Sequence, residues 1–293
     1  MKTSHLVVTG CDAAHFDLAE DMVTSFRAVC GADYQLGFVR FCETPLPDQI
    51  AARVDLVVNC TADYQNFADK PGFYTAYAAI KPRLPKLFAG FDIYSWIDAD
   101  CWLQNPLTLK KMALASGSAA LCIHPETDVH YTDLLPSDRT LSVYPKVMGA
   151  RPSSEQMRTP MLNSGVFSAH ASSPIWSLWE QELLALRRRF ECGQASFYSD
   201  QIPLHHLIYR DRIQVARLRA TDNWQTYAAL PRLDCQTGQL VVPSFPFEPI
   251  SIIHLAGKTK HQTYDMGVGE PLSLRYRRLQ QWLAKHAPSA TVT

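Results

Sequence analysis

No stretch of the sequence reaches the roughly 20 consecutive apolar residues of a membrane-spanning helix. Met1–Gly10 holds one lysine and a short apolar run, without the longer apolar segment of a secretory leader. Both absences lead to the expectation of a soluble, cytoplasmic chain. Charge of one sign is also lacking: 28 Lys and Arg face 28 Asp and Glu. That balance gives no whole-chain attraction to nucleic acid or anionic membrane, and no nucleic-acid partner is expected. The 8 cysteines (Cys11, Cys30, Cys42, Cys60, Cys101, Cys122, Cys192 and Cys235) form no CxxC pair, and several sit in apolar runs. They read as reduced core thiols rather than disulfides or zinc ligands. No GxGxxG follows the first apolar run, which argues against a dinucleotide-binding dehydrogenase. Internal repeats and low-complexity linkers are missing too. The expectation is one catalytic domain, residues 1–269, with a C-terminal helical appendage, residues 270–293.

What is present alternates. His5–Thr9, Tyr34–Phe41, Val54–Asn59, Ile93–Ile97, Ala119–Ile123, Met161–Ser168, Ile213–Leu218 and Ile250–His254 read as strands. Between them lie helical patterns. One follows a capping-box-like Asp17 and Glu20; another spans Phe73–Ile80 and ends before Pro82; others start near Pro106, Ser173-Pro174 and Ser199-Asp200. The alternation predicts an α/β fold with a mainly parallel, buried central sheet flanked by helices. From Pro125 to Pro160 the pattern lapses into a polar, proline-rich stretch of the kind that faces substrate. That stretch and the surroundings of Trp224 are the expected acceptor region.

Two segments carry chemistry. Trp96-Ile97-Asp98-Ala99-Asp100-Cys101-Trp102 places two carboxylates after an apolar strand. On an extended chain they would share one side, at the strand end where open α/β sheets bind ligands. Such a pair suits Mg²⁺ or Mn²⁺, although a solvated turn with two ordinary acids is the plainer alternative. Ile252-Ile253-His254-Leu255-Ala256-Gly257-Lys258-Thr259-Lys260 delivers an imidazole as a third metal ligand. It also supplies a glycine for close backbone approach to phosphate, and Lys258 or Lys260 as countercharge to a diphosphate. A core histidine followed by a solvated basic turn is its alternative.

Together these residues resemble the GT-A-fold glycosyltransferases. Asp98-Ala99-Asp100 is similar to their DxD motif, and His254, Gly257 and Lys260 to the HxxGxxK pattern of the retaining family that includes glycogenin and lipopolysaccharide galactosyltransferases. Asn163-Ser164-Gly165-Val166 resembles that family's N-[SA]-G segment, and Asp200-Gln201 its DQ pair. Val8-Thr9-Gly10-Cys11-Asp12 resembles its loop for the nucleotide base and ribose. Lys81-Pro82 resembles a KP pair of bacterial relatives whose lysine faces the donor. The blocks span residues 5 to about 260 in the family's order. Two positions depart from it: His261-Gln262 follows Lys260 where the family often has Pro-Trp, and Ile202 breaks the usual DQD.

The resemblance implies a metal-dependent hexosyltransferase that uses a nucleotide-sugar, UDP-linked in most of the family, and retains anomeric configuration. It assigns Mn²⁺ or Mg²⁺ to Asp98, Asp100 and His254, and gives catalytic roles to Asp200, Gln201 and Asn163. It assigns donor binding to Thr9, Gly10, Cys11, Asp12, Lys81, Asp98, Ala99, Ser164, Gly257 and Lys260. The acceptor class, whether saccharide, lipid-linked or protein, is left open. On residue evidence alone, Asn163-Ser164-Gly165 also reads as a strand bulge and Asp200 as a first-turn helix acid. His205-His206 reads as structural, since neighbouring residues on a helix point apart.

Competing functions are a sugar nucleotidyltransferase and a non-catalytic nucleotide-sugar-binding protein. The first expects a glycine-rich, basic loop after the first strand, where Thr9-Gly10-Cys11-Asp12 has one glycine and no base. The second expects donor binding without turnover. Leu272, Tyr276, Leu279 and Leu283 line one face of a C-terminal helix ringed by Arg275, Arg277, Arg278 and Lys285, with Trp282 beside them. This helix either touches a membrane surface weakly or packs on the catalytic body.

Overall fold

The computed structural model describes residues 3–60, 79–131, 136–154 and 156–286. Most of the helix expected over Phe73–Ile80 lies outside them. Seven strands form the central sheet: β1 (His5–Cys11), β2 (Gln35–Arg40), β3 (Leu56–Asn59), β4 (Ile93–Ile97), β6 (Leu121–Pro125), β7 (Leu162–His170) and β8 (Val215–Arg217), in the order β3-β2-β1-β4-β7-β6-β8. β1 runs parallel to β2 and β4, β2 to β3, and β6 to β8; β7 alone is antiparallel to its neighbours. The sheet is therefore mainly parallel, as expected, with one reversed strand near its middle.

Alternate side chains of the central strands feed two apolar layers. On one side Leu6, Val8, Trp96 and Phe167 pack with Trp179, Leu183, Leu204 and Leu207 from helices Ile175–Glu191 and Gln201–Arg210. On the other, Val7, Phe38, Ile97 and Val166 meet Met22, Val23 and Phe26 of helix α1 (Phe16–Cys30), and Leu109 and Met112 of helix Leu107–Ala115.

A smaller sheet lies beyond the end of β4. β10 (Arg232–Asp234) and β11 (Gln239–Val241) form a separate antiparallel pair, and β12 (Ile252–His254) sits between β5 (Cys101–Leu103) and β9 (Trp224–Gln225), antiparallel to the first and parallel to the second. Its apolar cluster holds Trp102, Trp224, Ile253 and Leu255 together with Leu272, Leu274 and Leu279. Leu279 belongs to the C-terminal helix Tyr276–His286. The apolar face of that segment is thus turned inward, which favours packing over contact with a membrane surface. No helix among the described residues is long and apolar enough to cross a membrane.

Three local expectations need correction. Asp17 and Glu20 do not cap α1, whose N-cap is His15 with no side-chain cap bond. Their carboxylates, with that of Asp21, instead bind arginines of the C-terminal segment. Arg275 bonds Asp17 at 2.5 Å and Asp21 at 2.7 Å. Arg277 bonds Glu20 and Asp21, each at 2.7 Å. Charge-assisted guanidinium bonds outcompete a weak local cap. The eight cysteines form no disulfide, but Cys192 and Cys235 are exposed rather than core thiols. Trp224 is wholly buried, so its ring offers no acceptor surface.

Gly10 is required by strand packing. A Cβ there would lie 2.5 Å from the Val39 carbonyl oxygen and 2.9 Å from the Val39 Cβ, across the β1–β2 ladder. Gly10→Ala should force the two strands apart and cost about 1–3 kcal/mol of stability, as overpacking does. Thermal unfolding measures it, and an unchanged midpoint would show that β2 yields freely.

Candidate active site

β4 runs Trp96-Ile97 straight into Asp98, but residues 98–100 are not extended. They form a turn closed by the Cys101 N–H donating to the Asp98 carbonyl at 3.0 Å. The expectation that strand alternation aligns the two carboxylates therefore fails, because the chain must reverse to enter β5. Asp98 accepts from Trp96 Nε1 at 2.5 Å and meets Lys81 Nζ at 3.1 Å. Asp100 meets Lys260 Nζ at 3.0 Å and His254 Nε2 at 3.4 Å. His254 reaches Asp100 because β12 pairs with β5, placing His254 directly opposite Cys101.

Lys81, in the first turn after the undescribed stretch, is 3% exposed. Its ammonium contacts Asp98, Asp200 Oδ2 at 2.9 Å and the Ser164 carbonyl at 2.9 Å, and lies 5.4 Å from the Trp96 ring centre. A buried cation is costly unless so paired. Burial pulls the Lys81 pKa down, but Asp200 and Asp98 outweigh it and hold the group well above the usual lysine range. Asp200 sits at the N-cap of helix Gln201–Arg210 without capping it. Its carboxylate accepts from Ser164 Oγ at 2.9 Å. Burial would raise its pKa; Lys81 and the Ser164 bond overcome that and lower it. Asp100 follows the same logic: burial opposes the charge, while His254 and Lys260 hold its pKa well below the ordinary carboxylate range. Burial lowers the pKa of His254, but Asp100 more than compensates, and the net shift is upward.

Asn163, Gln201 and His254 belong to one polar network. Glu126 Oε1 accepts from Asn163 Nδ2 at 2.8 Å and Gln201 Nε2 at 3.0 Å. Asn163 Oδ1 accepts from the Gly165 N–H at 3.0 Å and from Asn223 Nδ2 at 2.9 Å. With its amide so oriented, Asn223 presents Oδ1 to His254 Nδ1 at 3.0 Å, and Gln225 Nε2 stands 3.1 Å from the same nitrogen. This fixes the ring and turns Nε2 toward Asp100. Sequence reasoning does not single out Glu126, Asn223 or Gln225. Glu126 has a signal: it follows the buried β6 just as Asp98 follows β4. Asn223 and Gln225 have none, because their role depends on β9 pairing with β12.

The residues present fit a hard divalent cation. Asp100 and His254 bring a carboxylate oxygen and an imidazole nitrogen within 4.8 Å of each other, part of the donor set such ions take, and Asp98 lies beside His254 without joining that cluster. Gly165 keeps the space between Asp98 and His254 clear: a Cβ there would lie 2.4 Å from His254 Cε1, 2.8 Å from Asp98 Oδ2 and 2.9 Å from Asn163 Oδ1. Cys101 Sγ is also near Asp100 and His254. Burial, with Asp100 and Asp98 adding, pushes that thiol well above its ordinary pKa, and a thiol is a poor ligand for a hard ion.

The remaining assigned residues divide. Gly10, Cys11, His15, Asp98, Ala99, Asp100 and Lys260 line a cavity of about 70 Å³. That volume falls well below the roughly 300–1,000 Å³ of a whole small-molecule site. Thr9 is fully buried in β1 and does not line it. Asp12 bonds the His15 ring at 2.7 Å. Gly257 has φ +64° and open space within 4 Å of where a Cβ would stand, so glycine there serves backbone conformation. Lys258 is exposed, leaving Lys260 as the lysine that meets Asp100. His205 bonds Thr159, and His206 bonds Tyr144 and Gln156, all away from this cleft.

No protein-family model and no curated protein matches the chain. Solved structures do. The galactosyltransferase LgtC, in complex with donor and acceptor sugar analogues, superposes with a TM-score of 0.58 at 13% identity, over 97% of this chain and 96% of LgtC. An active-site mutant of LgtC gives 0.55 at 14% identity, over 96% and 95%. The bifunctional glycosyltransferase WbbM, in its apo form, gives 0.54 at 13% identity, over 88% of this chain and 46% of WbbM. What the chain shares with them is its fold, the GT-A arrangement of a mainly parallel α/β sheet flanked by helices.

Proposed function

We propose that this chain is a metal-dependent glycosyltransferase that moves a hexose from a nucleotide-diphosphate sugar, UDP-linked, to an acceptor hydroxyl with retention of configuration. The observation that carries this reading is a cleft in which Lys81 joins Asp98 to Asp200, His254 meets Asp100, and Asp98 and His254 flank Gly165, in a fold shared with glycosyltransferases. LgtC was solved with donor and acceptor sugar analogues, and a nucleotide-sugar donor and saccharide acceptor are carried over from it here.

Asp98, Asp100 and His254 would hold Mn²⁺ or Mg²⁺, which when bound neutralises charge on the departing diphosphate. Lys260, which lines the small cavity beside Asp98 and Asp100, adds a positive charge beside that group. Gly10, Cys11 and Asp12 flank the nucleotide side. On the sugar side, Asp200 is held as a carboxylate by Lys81 and Ser164, and opposes the positive charge that develops at the anomeric carbon. Asn163 and Gln201, pinned in common by Glu126, orient sugar hydroxyls. With retention, the acceptor proton passes to the leaving diphosphate, so no separate base is needed.

Asp100→Asn preserves side-chain shape and should lower turnover by roughly a hundredfold or more, the scale of losing one transition-state contact. Steady-state kinetics with UDP-hexoses and Mn²⁺ check this, and near-normal turnover sinks the metal assignment. Glu126→Ala should lower kcat about tenfold to a hundredfold while leaving Mn²⁺ affinity within about twofold, as expected of an outer positioning group away from the metal. A matching loss of Mn²⁺ affinity would place Glu126 in the metal site instead. UDP with Mn²⁺ at a hundred times its Kd should raise stability by about 2.7 kcal/mol, and EDTA should abolish the gain. A thermal-shift experiment reads both, and equal stabilisation with and without metal contradicts the proposal.

A further inference from the structure

The hard-cation reading leaves Cys101 unused, although its sulfur, an Asp100 oxygen and a His254 ring nitrogen lie within 4.8 Å of one another. Strand pairing accounts for the cluster. Cys101 stands directly opposite His254 in the antiparallel β5–β12 ladder, so both side chains leave the same face of the small sheet. Asp100 precedes Cys101, and its Oδ1 is 3.4 Å from His254 Nε2. One sulfur, one imidazole nitrogen and one carboxylate oxygen form the protein half of a tetrahedral zinc site that keeps an open position. One thiolate and one carboxylate match the charge of a divalent ion, which would displace Lys260 from its 3.0 Å contact with Asp100. Balance matters where Cys101 is 1% and His254 4% exposed.

We propose that a thiophilic divalent cation, Zn²⁺ in the first instance, is captured by Asp100, Cys101 and His254, and that it excludes the hard cation by taking two of its ligands. The inhibitory consequence rests on the glycosyltransferase reading above; the capture itself does not. As the metal–sulfur bond forms, the thiol proton leaves to solvent and no electron is exchanged. Softness separates the two ions: sulfur favours Zn²⁺, Co²⁺ and Cd²⁺, whereas Mg²⁺ and Mn²⁺ favour oxygen. One cleft thus holds two overlapping ligand sets, one through Asp98 and one through Cys101.

Co²⁺ serves as the probe, because a cobalt–thiolate bond gives a near-ultraviolet charge-transfer band. Cys42, Cys192 and Cys235 lie outside the core, and the full chain is used with all three replaced by serine. In this background Co²⁺ should produce the band, and Zn²⁺ and excess Mn²⁺ should each bleach it. Cys101→Ser or Cys101→Ala should remove the band and weaken Zn²⁺ at least tenfold in a chelator competition. His254→Gln provides a third test should both cysteine variants lose wild-type circular dichroism. Co²⁺ binding without the band, a band that survives in a folded Cys101 variant, or one that persists under saturating Mn²⁺ each overturns the inference. Manganese-dependent transfer that ignores Zn²⁺ overturns it while leaving the enzymatic reading intact. A cobalt band in a chain without transferase activity does the reverse.

Discussion

The cleft depends on one buried ammonium group. Lys81 Nζ touches carboxylates from two separated parts of the chain, Asp98 after β4 and Asp200 at a helix start, and also the Ser164 carbonyl on β7. Without it, two acids and a carbonyl would face one another in a poorly hydrated space. Coulomb repulsion there is far stronger than in water. With it, the ends of β4, β7 and the helix from Gln201 are drawn to one point. The ring of Trp96 lies close to the same cation and donates to Asp98, so apolar core and charged cleft meet at this residue.

The second sheet performs a matching task on the other side of the turn. β12 is short, yet its pairing with β5 and β9 decides what His254 can touch. Asp100 lies on one side of the ring, and Asn223 and Gln225 hold the other. Because Asn223 also bonds Asn163, the imidazole is linked to Glu126 and Gln201 by a continuous run of hydrogen bonds. The proposed metal ligand His254 and the proposed sugar-facing amides are therefore joined by hydrogen bonds on one scaffold.

Much of the fold is legible in the sequence because its strands are apolar runs with clear ends. Asp98, Asp100 and His254 are legible for the same reason: each lies at or beside such an end. The geometry between them is not. Nothing local signals that residues 98–100 turn back, since the turn exists only because Cys101 must enter a second sheet. Asp17 and Glu20 mislead because capping chemistry is local, whereas their arginine partners lie more than 250 residues away. Gly10 is legible as special, but a closely packed neighbouring strand, which sequence does not display, supplies a sufficient reason.

The arginine clamp on α1 bears on the order in which the molecule can be completed. Asp21 is 3% exposed and bonds Arg275 and Arg277, 254 and 256 residues further along. A carboxylate shut away without its partners costs several kcal/mol. During synthesis, that helix therefore has to stay hydrated and loosely seated until Arg275 and Arg277 have emerged. The flank of the sheet that carries the loop after β1 would then be among the last parts to become rigid, however early its residues are made.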